Sequence, residues 1–255
     1  MRQFLTRDDG TRLAYEIHNP DATGTPMIIT HGFSATAAMW EPNIEALSKD
    51  RPLLTYDQRG HGQSGDPGKT EGYSEAINVA DIDALIDLLD APKVIVGGMS
   101  LGGYLTLAYH LAHPQRIAAL LLQDTGPGYK SDSARTGWNE YAEKVAVQKG
   151  SADQGQAKSA EVAGAVHDNP QALMHVARGV LAQQDARVIN SLPTIDVPTL
   201  IVVGANDTNY LAATDYMTSK IPGARKVVIP DAGHAANMDQ PELFNAAVAE
   251  FLNGL

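Results

Sequence analysis

The stretch Lys93-Val94-Ile95-Val96-Gly97-Gly98-Met99-Ser100-Leu101-Gly102-Gly103 constrains this chain more than any other. An apolar β-branched run, Val94 to Val96, meets a glycine pair, one serine and a second glycine pair. An apolar helical pattern follows: Tyr104, Leu105, Leu107, Ala108, Leu111 and Ala112. The pattern predicts a buried strand that turns sharply into a helix, with Ser100 at the apex. Gly98 and Gly102 stand two residues either side of the serine, where a Cβ would collide as the strand and helix close together. The turn holds the hydroxyl clear of the sheet, at the positive end of the following helix. A lone Gly-x-Ser-x-Gly recurs by chance; flanked by this strand and this helix it is specific.

The rest of the chain alternates in the same rhythm. Phe4 to Thr6 and Arg12 to Ile17 read as a hairpin around Asp8-Asp9-Gly10. Met27 to Thr30, Arg51 to Tyr56, Ile117 to Leu122, Thr199 to Val203 and Val227 to Ile229 read as further strands. Helices are expected over Asn43 to Lys49, Ser74 to Leu89, Tyr210 to Lys220 and Pro241 to Leu252, the last with Pro241 in its first turn. Strands alternating with helices predict an α/β fold with a parallel sheet covered on both faces.

From Gly126 to Leu192 the rhythm breaks. Trp138, Tyr141 and Val145, then Val162 and Val166, then Leu173, Val176, Val180 and Leu181 fall at helical spacings. Lys149-Gly150-Ser151-Ala152-Asp153-Gln154-Gly155 reads as a polar loop between two of them. The expected organisation is a core of residues 1–125 and 193–255 with a helical insertion, 126–192, lying over the strand ends where open α/β sheets bind ligands.

Charge and composition narrow the partners. The 255 residues carry 30 acidic and 19 basic side chains, a net charge of −11, and contain no Lys or Arg run, which argues against nucleic acid. No apolar run approaches a membrane span, and Met1 to Asp8 lacks a signal-peptide core. There is no cysteine, and no His-x-His or His-Glu-x-x-His spacing, so no metal is expected. These features fit the cytoplasm.

A serine hydroxyl is a poor nucleophile without a base. Of the eight histidines, His110 and His113 fall on the helix behind Ser100, expected on its outer part, and His167 and His175 in the insertion. His18 follows the hairpin, and His31 is expected to pair with backbone in its own loop. His234, in Pro230-Asp231-Ala232-Gly233-His234 just past the last strand, is expected on the rim that carries Ser100. A carboxylate must then fix its tautomer. Asp207, in Gly204-Ala205-Asn206-Asp207 at the end of the preceding strand, is favoured by loop position and chain order. Asp124, at the end of Ile117 to Leu122, is the rival; Asp231 and Asp239 read as turn residues. Oxyanion donors are expected from Leu101 N–H and from Phe33 N–H in His31-Gly32-Phe33. Met99 and Trp138 are candidate pocket residues, although Trp138 could equally be packing within the insertion.

Together, His31-Gly32-Phe33, Asp57-Gln58-Arg59-Gly60-His61-Gly62-Gln63-Ser64, Gly98-Met99-Ser100-Leu101-Gly102-Gly103, Asp207 and Gly233-His234 resemble the α/β-hydrolase fold superfamily over nearly the whole chain. That resemblance implies an eight-stranded, mostly parallel sheet with a small helical cap after the sixth strand. It also implies a mainly structural role for Asp57 to Ser64. A serine nucleophile argues against the dehalogenase and epoxide-hydrolase branches. Within the superfamily the chain is similar to 3-oxoadipate enol-lactonases and small carboxylesterases, but enol-lactonases often carry an asparagine-containing segment in place of His31-Gly32-Phe33. The expectation is a cofactor-free serine hydrolase of a small ester or lactone, with activity falling below about pH 6.5 as His234 protonates. A C–C bond hydrolase of a dicarbonyl acid and a non-catalytic ligand-binding protein are the alternatives. The insertion is short of obvious cations to hold an anionic substrate, since several of its basic residues, Lys130, Arg135, Lys144, Lys149, Lys158, Arg178 and Arg187, stand in polar settings, and an ester bond is expected over a C–C bond.

Overall fold

The computed structural model describes residues 1–151 and 159–255. Eight strands form one sheet: β1 (Gln3–Thr6), β2 (Arg12–His18), β3 (Met27–Thr30), β4 (Leu53–Tyr56), β5 (Val94–Met99), β6 (Ile117–Gln123), β7 (Thr199–Gly204) and β8 (Arg225–Ile229). Their order is β1-β2-β4-β3-β5-β6-β7-β8; β2 runs antiparallel to both β1 and β4, and the remaining pairs are parallel. The predicted α/β-hydrolase architecture of the sheet is therefore present.

Alternation along the strands divides the core. Ile28, Leu54, Val94 and Val96 face a layer containing α2 (Glu75–Asp87) and α3 (Leu101–Ala112). Met27, Ile29, Leu53 and Ile95 face Trp40, α1 (Ile44–Leu47) and α10 (Pro241–Leu252), where Trp40 packs on Phe244 with ring centroids 6.4 Å apart. Both faces of the central strands β3 to β7 are thus buried, which is why they read as continuous apolar runs, whereas β1 and β8 at the edges are partly exposed. Ser74 caps α2 by accepting from Ile77 N–H at 3.1 Å.

The helix expected over Asn43 to Lys49 is present as the single turn of α1, Ile44–Leu47, and is preceded by a 3₁₀ run over Ala37–Asn43. Pro42 lies inside the 3₁₀ run, and its missing N–H breaks an α-helical ladder. His110 departs from its expected outer position and is 2% exposed. The helix carrying it is covered by the sheet on one side and by α2 and α7 (Arg187–Ser191) on the other.

Between β6 and β7 the described residues form α4 (Asp132–Lys149), α5 (Ala160–Ala163), α6 (Ala172–Val176), a π turn (Ala177–Leu181) and α7, with no strand among them. Val166 is not helical: Gly164 ends α5 after one turn, and Val166 is 79% exposed. Of the predicted polar loop, Ala152 to Gly155 lie outside the described residues. The segment is fastened over the carboxyl ends of the strands. His167 accepts from Gly62 N–H at 2.9 Å through Nδ1 and contacts Ser34 O at 3.1 Å through Nε2, while Asn169 donates to Asp66 at 2.7 Å. The remaining helices are α8 (Leu211–Lys220) and α9 (Ala236–Asp239).

Candidate active site

Ser100 occupies the turn from β5 to α3 with φ 53° and ψ −117°, a backbone region that side chains rarely adopt. A Cβ on Gly98 would lie 2.4 Å from the Gly102 carbonyl group, and one on Gly102 would lie 2.3 Å from Thr30 O. Only glycine permits this closeness of strand, helix and neighbouring loop. Thr125 fastens the turn by donating to Ser100 O at 2.6 Å.

The loops ending β7 and β8 are zipped together. Ala205 N–H donates to Ile229 O and Asn206 N–H to Ala232 O, both at 2.8 Å, and a Cβ on Gly204 would stand 2.1 Å from Gly233 O. This brings Asp207 to His234: Nδ1 and Oδ2 are 2.7 Å apart, with Asp207 4% and His234 26% exposed at the side chain. With Nδ1–H donating to the carboxylate, Nε2 keeps its lone pair. Burial lowers the His234 pKa, but the Asp207 hydrogen bond and the charges of Asp207, Asp124 and Glu161 outweigh it and raise the value above the ordinary 6.5.

The rival acid is placed elsewhere. Asp124, fully buried with φ 43°, accepts from Gly204 N–H at 2.8 Å and Ala236 N–H at 3.2 Å and makes no hydrogen bond with His234. It ties together the two loops that carry Asp207 and His234. Burial pushes its carboxyl up to about 7 against the pull of those amides. Asp239 accepts from Gly233 N–H at 2.7 Å, and Asp231, at φ 55°, turns the loop before it.

Tyr210 joins the site although no motif in the sequence marks it. Its ring lies nearly parallel to His234, centroids 4.9 Å apart and planes 20° apart. Burial pushes its phenol up to about 12, opposed by hydrogen bonding with Ser100. Ser100 and His234 are therefore both neighbours of one tyrosine, and the serine hydroxyl is turned toward it. Among the described residues no hydrogen bond joins Ser100 to His234. The signal for Tyr210 in the sequence was only its place three residues after Asp207, at the start of a helix.

The loop His31-Gly32-Phe33 lies directly against the elbow, since a Cβ on Gly32 would be 2.7 Å from Met99 Sδ and 3.3 Å from Ser100 Cβ. Phe33 N–H and Leu101 N–H donate to no protein acceptor among the described residues. Behind this loop, Gln58 N–H donates to His31 Nε2 at 3.0 Å, Gln58 Nε2 to His31 O at 2.7 Å, Ser34 N–H to His61 Nε2 at 3.2 Å and Ala37 N–H to Asp57 Oδ1 at 2.8 Å. The polar Asp57 to Ser64 segment thus buttresses the loop beside the serine. His31 Nδ1 contacts Gly32 O at 2.8 Å, the backbone pairing expected of it.

Met99 does not stand at the substrate face expected of it. It is 0% exposed and packs in the core with Trp40 beneath the loop, so it does not line a cleft. Strand alternation sends its side chain into the layer opposite Leu101. Trp138 is half-buried, donates from Nε1 to Leu181 O at 2.7 Å, and contacts the rings of Tyr129 and Tyr141 at 5.7 and 5.4 Å. Of the cap cations, Arg135 binds Asp132 and two backbone carbonyls, Arg178 binds Glu143, and Arg187 binds Asp185 and Glu75. Lys149, whose pKa burial lowers, acts on His61 and His167; Lys158 lies outside the described residues. Among the described residues no group of three or more His, Asp or Glu side chains is placed to hold a metal ion.

Known proteins resemble this chain along nearly its whole length. A family model described as "Alpha/beta hydrolase family" matches residues 27–247. A Bacillus subtilis protein provisionally named as a 2-succinyl-6-hydroxy-2,4-cyclohexadiene-1-carboxylate synthase is 27% identical over 98% of this chain and 98% of its own length. The 3-oxoadipate enol-lactonase 1 of Acinetobacter baylyi is 26% identical over 99% of this chain and 97% of its own. Among solved structures, a malate-bound thermophilic esterase from Thermogutta terrifontis superposes with a TM-score of 0.84 at 27% identity, covering 100% of this chain and 98% of that one.

Proposed function

As the chain belongs to the alpha/beta hydrolase family, we propose that it cleaves a small carboxylic ester or lactone through a covalent acyl-enzyme on Ser100. The observation that carries this reading is the Asp207–His234 hydrogen bond beside a serine held in a strained elbow. His234 Nε2 takes the hydroxyl proton as Ser100 Oγ attacks the carbonyl carbon. The N–H groups of Leu101 and Phe33 receive the oxyanion. The tetrahedral intermediate collapses, the alkoxide leaves with the proton from His234, and water repeats the cycle to release the acid. Every proton and electron pair is accounted for by substrate, water and these side chains, so no cofactor is required.

Helical segment 126–192 acts in this proposal as a lid on a core of residues 1–125 and 193–255, with Trp138 at the substrate face. The relatives act on, or are named for, different substrates, so choice among ester, lactone and carbon–carbon bond rests on the charge of the site. The strongest charges acting on His234 are carboxyls: Asp207, Asp124 and Glu161. They disfavour an enol-lactone or a dicarbonyl substrate that bears its own carboxylate. A fluorophosphonate label and a p-nitrophenyl ester test the reading. Both should report on Ser100 in the native protein and fall to background in Ser100→Ala; equal labelling and turnover in the two would defeat it.

A further inference from the structure

The proposed reaction leaves one buried acid without a use. Glu161 lies on α5, which packs against α9, the helix that begins two residues after His234. It is 5% exposed; Oε1 accepts from the Ser159 hydroxyl, and Oε2 is buried with no hydrogen-bond partner among the described residues. Its charge contributes to raising the His234 pKa, after those of Asp207 and Asp124. A carboxylate oxygen removed from water without a donor is unfavourable. Such a group in a folded protein calls for an explanation, and a ligand that supplies the missing donor or charge is one.

A second feature points the same way. Tyr210 lies against His234, and Tyr129 and Tyr141 both act on its phenol. With Trp138 they form a cluster that reaches solvent, Tyr129 being 39% and Tyr141 52% exposed. Aromatic faces attract cations, most strongly where water is partly excluded. The segment's own arginines cannot fill that role, because each is engaged with acids of its own. The whole chain, at −11, also draws cations toward its surface.

We propose that the site selects an ester bearing an ammonium group, with Glu161 and the Tyr129–Trp138–Tyr141 cluster holding the cation while Ser100 attacks the carbonyl. This rests on the serine-hydrolase reading for the chemistry, but the cation site can be measured without it. Calorimetric titration with benzyltrimethylammonium reads binding in the absence of turnover. The whole protein should bind it, should not bind the uncharged analogue 3,3-dimethylbutanol, and should lose affinity about tenfold in Glu161→Gln. Because Glu and Gln are nearly isosteric, a matching thermal melt establishes that the variant is folded.

A kinetic comparison completes the test. Butyrylcholine should exceed its uncharged isostere 3,3-dimethylbutyl butyrate in kcat/KM, the ratio falling about tenfold in Glu161→Gln and shrinking as salt is added. Absence of ammonium binding, an unchanged ratio in Glu161→Gln, or fastest turnover of an anionic ester such as a hemisuccinate would each overturn the proposal. Ammonium binding that depends on Glu161, with no ester turned over, would keep the cation site and sink the hydrolase reading. Hydrolysis of the neutral ester without ammonium binding would do the reverse.

Discussion

At the scale of single residues, two aspartates at neighbouring strand ends have been given opposite tasks. Asp207 accepts from His234, whereas both oxygens of Asp124 are taken by backbone amides, from Gly204 and Ala236. Asp207→Asn should lower kcat by about 10⁴-fold, the loss expected when the histidine tautomer is no longer held. Asp124→Asn replaces one acceptor by a donor facing an amide. It should therefore appear mainly as a loss of about 1–3 kcal/mol in urea unfolding. A larger kcat loss for Asp124→Asn than for Asp207→Asn would reverse the assignment. The pH profile follows from His234. Only the neutral imidazole can accept the serine proton, and its pKa lies above 6.5. Plotted against pH, kcat/KM should fall on the acid side with a midpoint above 6.5, higher than an unperturbed histidine would give.

At the scale of elements, the helical segment and the loop beside Ser100 are joined through one side chain. His167 reaches from the segment to Gly62 N–H and Ser34 O, and its ring packs 5.7 Å from that of His61, which in turn holds Ser34 N–H. His167→Ala should loosen the Phe33 amide and slow the chemical step by about tenfold, with a smaller change in KM. Single-turnover acylation measures it; an unchanged acylation rate would confine His167 to packing. Trp138→Ala tests the lid differently. If the ring faces substrate, selectivity among acyl groups should change more than Tm; the hydrogen bond to Leu181 O makes some loss of Tm certain.

At the scale of the whole molecule, stability should fall on mild acidification. His31 is held down to about 4, His61 well below 6.5, and His110 and His167 below 6.5, in each case first by burial. On unfolding these rings take up protons below pH 6.5 that the native state refuses. Their stabilising contribution is therefore complete above 6.5 and is lost as pH falls toward 4. Asp124, raised to about 7, opposes this trend: it favours the protonated native state at low pH and loses that contribution as pH rises through 7. His234, raised above 6.5, opposes it as well, and burial lowers His18 like the other four; five lowered histidines outweigh two raised groups, so the urea midpoint should be lower at pH 5 than at pH 7. A midpoint that stays level or rises would mean that the histidines are solvated. The molecule also stakes stability on Arg59, 2% exposed and bound to both oxygens of Asp81 at 2.6 and 2.8 Å. Arg59→Ala leaves that buried carboxylate with Arg7 as its remaining ion-pair partner and should cost less than the ~3–5 kcal/mol of a buried charge stripped of every partner.

Local patterns in the chain were enough to place the strands. Met27–Thr30 and Pro241–Leu252 occupy the residues their apolar runs and Pro241 define, and the elbow glycines are needed for close approach of the kind their spacing implies. Strands buried on both faces and a strand–turn–helix elbow are written in consecutive residues, so a one-dimensional reading reaches them. Tertiary structure alone decided the rest. Whether Asp124 or Asp207 meets His234 depends on how two loops cross, and Gly204 against Gly233 decides it. Tyr210 and Glu161 come to the histidine from elements far apart in the chain, and Met99 leaves the site because its strand points it into the core. Identity and spacing describe what a side chain can do; which partner it meets is a property of packing between segments, and no periodicity in the sequence encodes it.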